Sequence, residues 1–195
     1  MACAITSGRK VPCKSAFGGI KTVYFANYGT LAATFTSGAG IALDEVATIV
    51  MTPNDSLFKY DVKGNSSLDT TITSSRDNGT TFYTQTLNLT LPYLDNGTKN
   101  EIQLIAAGRP QVVVEDYYGN TFLCGYENGM DLTTGTMVTG AAAGDLSGFT
   151  LVLEGMEERA PFFFDASANI LAGSNIVASG QIDPNSVIVV AIIRL

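Results

Sequence analysis

Thr80 to Leu91 reads as one long strand whose odd positions end in Leu87, Leu89 and Leu91, while Thr84, Thr86, Asn88 and Thr90 share the opposite face. A period of two is the period of a β-strand, and a strand with one greasy and one polar face needs a packed layer on one side and water on the other. A slip of one residue would turn the three leucines into water, so burial specifies the register. The run from Phe149 to Glu157 repeats the pattern up to Leu153, with Thr150 and Glu154 on the opposite face. Phe58 to Lys63 does so with Lys59, Asp61 and Lys63 as the polar alternates. Several one-sided strands require a second apolar layer, which makes the chain mainly β, a β-sandwich or barrel-like domain.

Turn and cap residues divide the rest. Val112–Val114 leads through Glu115 and Asp116 into a Gly119-Asn120 corner and returns through Thr121–Cys124, a hairpin pattern. Asn78-Gly79 is a second hairpin turn. Ile20–Phe25 reads as a first strand, Thr30–Gly40 as a loop, and Ile41–Met51 as a strand or a short helix. Gly64–Asn78, with only Leu68 and Ile72 as apolar anchors, reads as a long β excursion or loop. Leu132–Gly140, rich in Thr and Gly, reads as exposed β structure. One α-helix flanks the strands at about residues 95–107. Asp95 or Asn96 caps it, Leu94, Thr98, Ile102 and Ile105 form its stripe, and Gly108 and Pro110 end it. The domain expectation is an arm at 1–17, a β domain at 18–160 and an extension at 161–195, either an intersubunit strand or a small decoration, which holds the apolar run Val187–Ile193.

The 195 residues suffice for one real core. Hydrophobic residues make up 46% of the chain and charged residues only 15%, which fits a surface covered by copies of the same protein or an ordinary neutral-surfaced β protein. The net charge of −7 and the lack of any Lys/Arg cluster argue against gripping nucleic acid through its phosphates. There is no His, and Cys3, Cys13 and Cys124 show no metal-ligand spacing, so neither a catalytic nor a metal site is expected, and no cofactor. Glu115-Asp116 and Glu157-Glu158 are adjacent carboxylates, which a strand turns to opposite faces. Three consecutive aromatics, Phe162, Phe163 and Phe164, cannot all enter one core from a strand, which leaves core packing and a subunit contact as the two readings. No apolar run is long enough to span a bilayer.

The order of segments from Gln111 to Glu157 resembles the tail tube (major tail) proteins of long-tailed bacteriophages. The resemblance is carried by V-V-V-E-D at 112–116, Y-Y-G-N at 117–120, N-G-M-D-L-T-T-G-T at 128–136 with V-T-G after it, and G-D-L-S-G-F-T-L-V-L-E-G-M-E at 144–157. It extends upstream over 80–110 and weakly to Gly18-Gly19-Ile20, about two thirds of the chain. It implies a β-sandwich or barrel-like fold with long loop extensions, and homo-oligomeric rings, usually hexameric. These stack into a conduit that other tail proteins complete and that DNA passes without specific binding. The location it implies is the virion, after synthesis in the host cytoplasm. On this expectation Lys59, Asp61, Lys63, Thr84, Thr86, Asn88, Thr90, Thr150 and Glu154 face the lumen, with net negative potential supplied by Asp116, Asp131, Asp145 and Glu154. Leu68, Ile72, Phe162, Phe163, Phe164, Val187 and Val189 are the candidate intersubunit residues. A capsid decoration or cement protein would need no continuous polar face. A carbohydrate-binding tail-fibre module would normally show exposed Trp or Tyr platforms, and Trp is absent.

Overall fold

The computed structural model describes residues 17–35, 45–52, 55–62 and 65–164, and the backbone of 175–178. Two sheets and one helix account for them. The strands are β1 (Ile20–Ala26), β2 (Leu31–Phe35), β3 (Glu45–Met51), β4 (Ser56–Asp61), β5 (Ser67–Ser75) and β6 (Thr80–Pro92), followed by helix α1 (Asn96–Ala107). After the helix come β7 (Gln111–Asp116), β8 (Thr121–Cys124), β9 (Asp131–Val138), β10 (Gly148–Glu157), β11 (Phe162–Phe164) and β12 (Asn175–Ala178). The larger sheet has the order β12-β4-β1-β7-β8-β11-β3-β2, and the smaller the order β5-β6-β10-β9.

Alternation explains how they pack. Leu87, Leu89 and Leu91 of β6 and Phe149, Leu151 and Leu153 of β10 meet Val23, Phe25, Val112 and Val114 of the larger sheet in the first core. Leu87 and Leu89 are fully buried, and each such side chain contributes about 1.5–3 kcal/mol. The opposite alternates of the larger sheet, Tyr24, Val113, Leu123 and Leu57, build a second core with Leu31, Val46, Ile49 and Phe162. The β3–β2 end therefore curls back over the sheet's second face. Both faces of β1 and β7 are buried, which is why Val112–Val114 is an unbroken β-branched run.

Helix α1 starts where Asp95 Oδ2 accepts the Thr98 N–H at 3.0 Å, and it ends where the Gly108 N–H donates to Leu104 O at 3.0 Å. It has no buried residue; Ile102 and Ile105 rest half-buried on the first core. The expected stripe is therefore right at its C-terminal half, while Leu94 is exposed.

Three expectations are corrected. Leu31–Phe35, placed in a loop because of its small residues, is the edge strand β2, antiparallel to β3; contact with the second core outweighs its weak intrinsic preference. The boundary at 161 falls inside the larger sheet, since β11 pairs antiparallel with β8 and parallel with β3, and β12 pairs parallel with β4. Phe162 is a core residue, 8% exposed, so it is not an intersubunit contact.

A buried polar knot holds the turn between β8 and β9. Glu157 Oε1 accepts the N–H groups of Asn128 (2.9 Å) and Glu127 (3.2 Å). Gln85 Oε1 accepts the Gly125 N–H at 3.0 Å, and Gln111 Nε2 donates to Tyr126 O at 2.7 Å. Each partner spends buried hydrogen-bonding capacity on backbone that a loop would otherwise leave unpaired.

Candidate functional site: the outer face of the four-stranded sheet

The residues of β5, β6, β10 and β9 that point away from the first core fall into rows across the sheet. Asp69 lies opposite Thr86, Thr86 opposite Glu154, and Glu154 opposite Asp131. Ser67, Asn88, Val152 and Thr134 form the next row, and Thr90, Thr150 and Thr136 another. Not one Lys or Arg occurs in these four strands. Glu154 and Asp131 are therefore neighbouring like charges with no cation beside them in the sheet, an arrangement that costs about 0.2–1 kcal/mol in an antiparallel pair.

Six of the expected face residues come together here: Thr84, Thr86, Asn88, Thr90, Thr150 and Glu154. Their alternates Leu87, Leu89 and Leu91 point into the core, as the register demands. Lys59 and Asp61 do not join them. They lie on β4 of the other sheet, on the face of Leu57 and Tyr24, and pair with each other at 3.0 Å. Alternation along one strand says which residues share a face but not which sheet that face belongs to. Lys63 lies outside the described residues.

Of the expected acidic residues, Asp131 and Glu154 are on the face. Asp116 instead holds the β7–β8 turn, accepting from Asn120 N at 2.7 Å and Asn120 Nδ2 at 2.8 Å. Asp145 accepts the N–H groups of Ala142 (2.7 Å) and Ala141 (2.9 Å) in the β9–β10 connection, and these bonds hold its carboxyl below the usual range. Asp69 was missed because its segment read as an excursion. Leu68 and Ile72 share parity, which already placed Asp69 and Thr71 on the opposite face.

The intersubunit candidates separate as well. Leu68 is half-buried against the first core, and Phe164 packs on the second. Phe163 is 52% exposed and stands edge-on to Phe122, with ring centres 4.7 Å apart. Ile72 is 63% exposed on the outer part of the β5–β6 ribbon, which runs past the end of β10 because Glu157 pairs with Tyr83 and nothing in β10 lies opposite Thr80–Phe82. Val187 and Val189 lie outside the described residues.

Burial pushes the Cys124 thiol up, and the nearby Glu157 charge adds to the shift. A fully buried thiol so shifted is an inert packing group. No cluster that could hold a metal occurs among the described residues, and none of their helices is long and apolar enough to cross a membrane. Comparison with protein families, with curated proteins and with solved structures finds no match for this chain.

Proposed function

We propose that this protein is a structural virion subunit that assembles into stacked rings, the tail tube, with the outer face of β5-β6-β10-β9 turned to the DNA conduit. The observation that carries the reading is the composition of that face: rows of Thr, Ser and Asn crossed by Asp69, Glu154 and Asp131, without a cation in any of its four strands. Phosphate would stick to a basic wall, whereas an acidic, hydrated one keeps DNA moving. Summed over a ring, the Asp69–Thr86–Glu154–Asp131 row becomes a belt of negative charge. Among the described residues β5 and β9 each have one side without a strand partner, and unpaired edges are where sheets of neighbouring copies join.

Its test is negative-stain microscopy with sedimentation of the purified chain, followed by a structure of the assembly. Rings or tubes whose lumen carries Thr86, Asn88, Thr90 and Glu154 are expected. A monomer from micromolar to high concentration, or a basic lumen, would overturn the reading.

A further inference from the structure

Asparagine followed by glycine occurs at Asn78-Gly79, Asn96-Gly97 and Asn128-Gly129. The dipeptide carries its own reaction. Once a base has taken the glycine amide proton, that nitrogen can attack the asparagine side-chain carbonyl, because glycine has no Cβ to block the approach. Asp77, Asp95 and Glu127 precede the three pairs, so local sequence gives them similar reactivity. The fold does not.

Asn128 is tied down at each group that must move. Its Nδ2 donates to Met156 O at 2.8 Å, and the Gly129 N–H, the would-be nucleophile, donates to Gly125 O at 3.1 Å. Glu157 Oε1 accepts the Asn128 N–H at 2.9 Å, and a carboxylate there opposes a second negative charge on the next amide. Asn96 opens helix α1, and helical ψ keeps Gly97 N away from the Asn96 side-chain carbon. Asp95 Oδ2 would stand 2.8 Å from a Cβ at Gly97, so an anion faces this glycine too.

Asn78 is under none of these restraints. It lies exposed in the turn 76–79, between the paired ends Ser75 and Thr80 of β5 and β6. Its backbone N–H donates to Ser75 Oγ at 3.3 Å, whereas neither its side chain nor the Gly79 N–H has a hydrogen-bond partner among the described residues. Gly79, at φ +64, has open space where a Cβ would stand. The turn also lies past Tyr83, which pairs with the last residue of β10, so a two-stranded ribbon carries it. Such a ribbon opens more readily than the sheet behind it.

We propose that Asn78 is a self-modification site, which the folded chain converts to aspartate and isoaspartate through a cyclic imide. Gly79 N bonds to Asn78 Cγ, the Cγ–Nδ2 bond breaks, and the side-chain nitrogen leaves as ammonia with the proton lost by the amide. Water then opens the ring. Attack at Cγ restores the ordinary backbone with an aspartate side chain; attack at the Asn78 main-chain carbonyl routes the backbone through Cβ and Cγ, one methylene longer. One water is consumed and one ammonia released, with no change of oxidation state. The turn, in which Arg76 and Asp77 balance, becomes net negative.

The test incubates dilute full-length protein in mildly alkaline buffer, folded or in guanidinium chloride. Peptide mapping by mass spectrometry follows each site, with electron-transfer fragmentation to tell isoaspartate from aspartate. In denaturant the three pairs should convert at similar rates. In the folded chain Asn78 should give both products at least several-fold faster than Asn96 or Asn128, and Gly79→Ala should slow it several-fold. The proposal is overturned if folding protects Asn78 as strongly as Asn128, or if Asn96 or Asn128 keeps pace with Asn78 in the folded chain. The readout is a chemical change within one chain, so it does not depend on whether rings form.

Discussion

Glu157 is the group whose removal should be felt most for its size. It is 5% exposed, and its Oε1 accepts two backbone N–H groups of the β8–β9 turn. Alanine would strand both donors, at about 1–3 kcal/mol each, partly offset by deleting a buried charge, for a net loss of about 2–4 kcal/mol. Glutamine keeps an acceptor and deletes only the charge, so Glu157→Gln should match or exceed the parent near neutral pH. The pH dependence follows from the direction of the shift. Burial raises the carboxyl above its ordinary 4.5; hydrogen bonds from Asn128 and Glu127 oppose this, and the Glu127 charge adds to it. The folded state then binds this proton more tightly than the unfolded one, so this group's contribution to stability is greatest below 4.5 and is lost as pH rises through the raised value. Groups common to both proteins cancel in the difference, so the advantage of Glu157→Gln over the parent should grow from pH 4.5 upward and then level off. Urea unfolding of the parent and both variants from pH 4.5 to 8 measures it. Equal stabilities for the alanine and glutamine variants, or a glutamine advantage that ignores pH, would refute the reasoning.

Gly129 has φ +79, and a Cβ there would meet Arg109 O at 2.7 Å and the Tyr28 ring at 3.1 Å; Gly129→Ala should cost more than the about 1–2 kcal/mol of the left-handed backbone alone. Gly79→Ala, at φ +64 with open space around it, should cost only that backbone penalty, and thermal melts of the two variants compare them. Asp95→Ala removes the cap on α1 and should lose about 1 kcal/mol in urea melts, with Asp95→Asn recovering most of it.

Much of the fold was legible because its signals are local. Gly119-Asn120 and Asn78-Gly79 lie at hairpin turns, Asp95 caps the helix, and the odd leucines of β6 are the core. Where the sequence misled, a distant partner decided the matter. β2 is a strand because Leu31 packs on a core built by other strands, and β11 completes the larger sheet although its neighbours in the chain carry no strand signal. The second core could not be foreseen, because nothing in the alternation of β1 or β7 says that the same sheet will curl over its own far face.

The candidate site divides along the same line. Each of the four strands announces its polar side by parity, yet the row Asp69–Thr86–Glu154–Asp131 exists only because four registers coincide, and register between strands is a tertiary fact. Lys59 and Asp61 show the consequence: they alternate as cleanly as the threonines, but β4 joins the other sheet, where each charge finds the other. Moving that lysine off the face leaves Glu154 and Asp131 opposite each other without compensation. A sheet selected for stability alone would place a cation across from Glu154 and gain the opposite-charge pair. The uncompensated row is thus a feature of this face that neither packing nor pairing within the sheet explains.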